Sequence, residues 1–193
     1  MANQKSDFDY LSWILSQDFI SKGGFLKEEK EAKGKKTQKV KVVMGRGVTA
    51  FAIYEFGDKE NCRHLPFFNH TNNHPAFPNA PSGLLAFCDY IILTEVMSKA
   101  YFLLVEMKRG VRSHAAVQLN ASRTFIDYIL STADRIKEAN AMKDFDSNDV
   151  EIRRIVLSQT KKETLNSHMP YQKSKNDIID YQTFDEFRIR DVI

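Results

Sequence analysis

Along the chain the apolar positions change period several times, and each change predicts an element. Phe8, Leu11, Ile14, Leu15 and Phe19 recur at three- and four-residue intervals, which predicts an amphipathic helix over 7–21, stopped by Gly23-Gly24. No apolar face exists from 27 to 38, so a loop or hairpin tip is expected there. The β-branched and aromatic residues of 40–44 and 48–56 predict two strands separated by a turn at Gly45-Arg46-Gly47. Two more strands are expected at 84–94 and 101–108. Ala115, Leu119, Ile126 and Ile129 then mark a helix over 112–130, and a second helical stretch covers about 131–142. EIRRIVLS at 151–158 has the apolar run of a buried strand, and 187–193 can form a short one. Helix, three or four strands, helix, strand is the order of an α/β fold with a mixed central sheet flanked by helices.

Between 57 and 83 this periodicity stops. The segment holds four of the five prolines, together with His64, His70, His74, Phe67, Phe68 and Phe77. Packing of the phenylalanines within a long loop is the expected arrangement, because the histidines lack the spacing of a metal site.

At 193 residues, 42% apolar and 27% charged, the composition is that of one globular domain over 1–193. The apolar runs are too short to span a bilayer, and MANQKSDFDY lacks the apolar core of a secretory signal. A cytoplasmic protein that does not enter a membrane is expected. Cys62 and Cys88 suggest neither a disulfide framework nor a zinc cluster, and Cys88 sits where a buried free thiol is expected. The net charge of +3 permits a polyanionic partner without requiring one. From Lys22 to Lys41 eight lysines face three glutamates, a stretch read as solvated loop ahead of phosphate contact.

Three charges interrupt the apolar strands. Asp89 lies inside AFCDYIIL, and Glu106 and Lys108 end YFLLVEMK. An unpaired charge in such a setting is costly, so pairing or a bound ion is required. Alternate strand residues share a face, so Glu106 and Lys108 point one way and Met107 the other. If the two strands form a hairpin with Thr94 facing Tyr101, Asp89 falls opposite Glu106, their Cβ atoms about 4.5–5.5 Å apart. Two carboxylates on one side of a sheet suit Mg²⁺, with Mn²⁺ as its substitute. A lysine two residues on can hold the attacking water and neutralise charge on a phosphoryl group. On the next helix Gln118 shares a face with Ser122, Phe125 and Ile129. Arg109, Arg112 and Arg123 surround the region as candidate phosphate contacts. His114 beside Ser113 lacks the elbow motif of a serine hydrolase and is read as a surface residue.

Taken together, Asp89 in AFCDYIIL, Glu106-Met107-Lys108 and the Gln118 helix resemble the PD-(D/E)XK nuclease superfamily, directly over residues 84–158. The resemblance implies a restriction-endonuclease-like core in which Asp89, Glu106 and the backbone carbonyl of Met107 bind Mg²⁺. Lys108 is then the catalytic lysine and Gln118 an auxiliary glutamine. The chain departs from the family pattern in having Cys88 where proline is usual, and Asp18, Glu55 and Asp58 are all candidates for a further carboxylate. The expected activity is metal-dependent hydrolysis of nucleic acid, DNA ahead of RNA, with room for a homodimer or a partner protein. The alternative is a catalytically silent module of the same fold that binds nucleic acid or protein.

Overall fold

The computed structural model describes residues 6–21, 23–27, 39–55, 87–108, 114–159, 171–173, 177–183 and 185–193. Readings that fall on 57–83, on Cys62, Arg109, Arg112 and Ser113, and on most of the lysine-rich stretch lie outside them. The elements are α1 (Asp7–Ile14), β1 (Phe25–Lys27), β2 (Lys39–Val43), β3 (Val48–Glu55), β4 (Tyr90–Val96), β5 (Lys99–Lys108), α2 (Ala115–Ile136), β6 (Glu151–Gln159), β7 (Tyr171–Lys173), β8 (Ile178–Thr183) and β9 (Glu186–Arg188). This is a mixed α/β architecture with two sheets.

The larger sheet has the order β3-β4-β5-β6-β8-β7. Strands β3, β4 and β5 are antiparallel neighbours, β5, β6 and β8 run parallel, and β7 returns antiparallel to β8. Antiparallel neighbours need only a short turn, and β4 and β5 are joined through Met97 and Ser98, whose φ angles of 50° and 63° suit a two-residue hairpin turn. Parallel neighbours need a crossover, which α2 supplies between β5 and β6. Strand β5 lies between β4 and β6, and from Ala100 to Met107 every residue is buried.

Its alternation sorts the interior into two cores. Phe102 and Leu104 pack with Ile91, Leu93, Tyr10 and Leu11 of α1, and Leu119 and Ile126 of α2. Leu103, Val105 and Met107 pack with Ile92, Ile155 and Leu157, and with Leu26, Val40, Val42 and Phe187. Those last four belong to a three-stranded sheet, β1-β2-β9, with β1 antiparallel and β9 parallel to β2. Both described α-helices thus cover one face of the large sheet and the small sheet covers the other. The expected mixed sheet with helices packed on it is present, and both described helices lie on one face: helical periodicity shows that an element has an apolar stripe, but not which side of the sheet the stripe covers.

Other differences have local causes. Helix α1 begins with a Ser6–Asp9 capping box but ends at Ile14, not near 21. Leu15 turns extended, the Ser16 hydroxyl caps a single 3₁₀ turn over Gln17–Phe19, and Ile20 then bridges to Tyr54 at the sheet edge. Conversely, the helices expected over 112–130 and 131–142 are largely one. No glycine or proline interrupts the stripe, which continues through Ile129, Leu130 and Ala133 before a 3₁₀ turn at Glu138–Asn140. The turn at Gly45 connects the two sheets; its φ is 82°, and a Cβ there would lie 2.8 Å from that of Arg190. Among the described residues, no helix is long and apolar enough to cross a membrane.

Candidate active site

Only four polar or charged residues are buried among those described: Thr94, Ser122, Thr183 and Glu106. Glu106 is the one carboxylate in that group, 1% exposed, and its position follows from the hairpin register. Thr94 pairs with Tyr101 and Tyr90 with Val105, the alignment assumed from the sequence, and one step further places Asp89 opposite Glu106. Asp89 itself lies just outside β4, in a bend. There the two residues clasp each other: the Asp89 N–H donates to Glu106 Oε2 at 3.2 Å, and the Met107 N–H donates to Asp89 Oδ2 at 2.7 Å.

Strand alternation brings Lys108 to the same side, where its Nζ pairs with Glu106 Oε1. The lysine is partly open to solvent, at 22% exposure. It also donates to Gln118 Oε1 at 3.1 Å, and Gln118 Nε2 donates to the Phe87 carbonyl at 3.4 Å. Gln118 thus links the end of β5 to the segment preceding Asp89. One turn along α2, buried Ser122 accepts the Cys88 N–H at 2.8 Å, and Phe125 packs edge-on against Phe87 at 5.5 Å. The face predicted for Gln118, Ser122 and Phe125 is the face that meets the site.

Ser122 was legible only as a lone hydroxyl in an apolar stripe; its role depends on which backbone group lies opposite. Ser122→Ala is expected to leave the buried Cys88 N–H unpaired and cost about 1–3 kcal/mol. Urea unfolding would measure this as a lower midpoint at unchanged slope.

The charges are strongly perturbed. Burial, then the negative charge of Asp89, pushes the Glu106 carboxyl up to about 7, against the opposing hydrogen bond and charge of Lys108. Burial pushes the Cys88 thiol up to about 12, and its Sγ donates to the Tyr90 carbonyl at 3.2 Å. It is the buried, free thiol expected from the sequence.

Several sequence candidates do not join this group. Arg123 lies five residues beyond Gln118, about 140° around the helix. It is exposed, pairs with Asp127 at 3.1 Å and lines a cavity with Arg153 and Arg154. Glu55 pairs in register with Tyr90 and shares its face, opposite to that of Asp89. Asp18 is bonded to Ser16, while Asp58, Arg109 and Arg112 lie outside the described residues. Among the described residues no group of three or more His, Cys, Asp or Glu is placed to hold a metal. Asp89 and Glu106 are the two carboxylates that the described residues bring together here. Hard oxygen donors with mutually repelling charge fit Mg²⁺, which needs only one or two carboxylates beside water and phosphate oxygens.

Comparison of the chain with protein-family models, curated proteins and solved structures finds no match.

Proposed function

We propose that this protein is a metal-dependent nuclease with a restriction-endonuclease-like core. The observation that carries the reading is the convergence of Asp89, Glu106, Lys108 and Gln118 on one side of the large sheet, at a place where a buried carboxylate is costly. The order α1, β3-β4-β5 antiparallel, α2 and parallel β6 supports the fold assignment. Asp89 and Glu106, with the Met107 carbonyl, would hold Mg²⁺ or Mn²⁺. The ion would supply Lewis-acid polarisation of the phosphoryl oxygen and acidify a bound water.

The chain's own groups do the rest. Lys108 holds the attacking water through Nζ and offsets negative charge developing on the phosphorus oxygens. Gln118 accepts a hydrogen bond from the Lys108 ammonium and ties it to the segment carrying Asp89. Ser122 fixes Cys88, so the aspartate is held from both the strand and the helix. DNA is the first substrate to test, then RNA.

A catalytically silent binding module is the second reading. It is favoured by the hydrogen bonds that occupy both Glu106 oxygens and Asp89 Oδ2, as in a self-contained ion-pair cluster.

Purified protein should cleave DNA or RNA with Mg²⁺ or Mn²⁺ and not with EDTA. Asp89→Asn is expected to lower the rate at least about 100-fold, the scale of losing one stabilising group. Cleavage in EDTA, or full activity of Asp89→Asn on gels and by fluorogenic assay, would refute the reading.

A further inference from the structure

The outward face of the small sheet breaks a local rule. Strand alternation buries Leu26, Val40, Val42 and Phe187 and turns Phe25, Lys27, Lys39, Lys41, Glu186 and Arg188 outward. Four cations thus face one carboxylate, and Glu186 is already paired with Arg188 at 3.3 Å. The excess of three charges equals the formal net charge of the entire chain, +3.

Lys27 and Lys39 are directly opposite in the register of β1 and β2. Like charges so placed repel and weaken a sheet. Lys39 Nζ sits 3.9 Å from the centre of the Phe25 ring, and no ion pair among the described residues involves Lys27, Lys39 or Lys41. Lysines commonly guard a sheet edge against aggregation. Here, however, Lys39 and Lys41 lie on β2, the central strand of the three.

The position of the face suggests its ligand. Lys27 lies at the tip of Tyr90, the residue after Asp89: its N–H donates to Tyr90 Oη at 2.8 Å, and Tyr90 Oη donates to its carbonyl at 2.8 Å. Packed sheets lie about 10 Å apart, and Asp89 and Glu106 face the far side of the large sheet, so the path from this face crosses both layers, roughly 20 Å or about six nucleotides at 3.4 Å each. We infer that the outward face of β1-β2-β9 binds the phosphate backbone of nucleic acid through Lys27, Lys39, Lys41 and Arg188, guiding the chain around the sheet edge to the site at Asp89 and Glu106. This rests on the nuclease reading, of which it names the substrate-holding surface.

Fluorescence anisotropy in EDTA with labelled single- and double-stranded oligonucleotides tests it without cleavage. Lys27→Gln/Lys39→Gln/Lys41→Gln is expected to bind at least tenfold more weakly at 0.1 M salt. The slope of log affinity against log salt should fall by about 2–3, at 0.7–0.9 per lost phosphate contact. The triple arginine variant should bind like the parent. If the triple glutamine variant melts early, Lys39→Gln/Lys41→Gln carries the same test with a slope change of about 1.4–1.8. Unchanged affinity and slope would overturn the surface, as would equal binding to phosphatidylserine vesicles or polyglutamate. Metal-dependent cleavage with unchanged binding by the variants would leave the nuclease reading standing and remove the surface. Weakened binding by the variants with no cleavage by the parent would do the reverse.

Discussion

Glu106→Gln is expected to make the protein more stable at pH 8 and inactive. In the native protein the carboxyl titrates near 7, because burial and the charge of Asp89 outweigh the help of Lys108. In the unfolded chain a glutamate titrates near its ordinary 4.5. Between those values the folded protein holds a proton that the unfolded chain has released, so stability falls as pH rises through this window. The contribution is fully present below about 4.5 and lost above about 7. Its size is on the order of 3 kcal/mol at 1.36 kcal/mol per pH unit. Glutamine keeps the shape and carries no charge, so its variant should lack this slope. At pH 8 it should melt about 6–12 °C higher, at about 2–4 °C per kcal/mol for a chain of this size. Thermal melts of both proteins from pH 4 to pH 9 would show the curves converging at the acid end. Parallel curves would mean that Glu106 does not take up a proton on folding. The gain in stability belongs to the silent-module reading as much as to the nuclease, so the cleavage rate of the same variant, expected to fall at least about 100-fold, separates them.

That prediction depends on how much of the site the sequence could disclose. A period of two fixes which strand residues share a face, so Asp89, Glu106 and Lys108 could be placed together once a hairpin was assumed. The Thr94–Tyr101 alignment is the one the structure adopts. Nothing in the apolar run specified it, since Met97-Ser98 is not a glycine-containing turn and its positive φ angles are visible only in the structure. The α2 face was legible because Gln118, Ser122 and Phe125 lie on one stripe. The bond from Ser122 to the Cys88 N–H was not, because a backbone donor leaves no mark on the sequence. The small sheet was largely hidden for a different reason. Strands β1 and β9 are three residues each, too short for any period to emerge, and their pairing with β2 joins the two ends of the chain. Strands β7 and β8 have no counterpart among the elements expected from the sequence.

Lys108→Ala is expected to separate binding from turnover. The lysine stands between Glu106 and Gln118, partly open to solvent, so its removal leaves the oxygen donors of Asp89 and Glu106 in place. Loss of the ammonium takes away the group that holds the water and balances charge on the phosphoryl oxygens. The turnover number should fall about 10²–10⁴-fold, the range of positioned proton-transfer and electrostatic groups. Nucleic-acid affinity in EDTA should change less than threefold. Lys108→Arg should remain impaired, because a planar guanidinium does not reproduce the compact ammonium between two oxygen acceptors. Removing Lys108 also leaves Glu106 buried without its cationic partner, which raises the cost of its ionised form further. The variant's stability should therefore drop more at pH 8 than at pH 5, and divalent ion should restore more of it at pH 8, since a bound cation favours the ionised carboxylate. Single-turnover cleavage and thermal melts with and without Mg²⁺ measure both effects. Cleavage by Lys108→Ala at the parent rate would assign the lysine to the ion pair alone, whereas lost turnover with retained Mg²⁺ stabilisation would assign it to the chemical step.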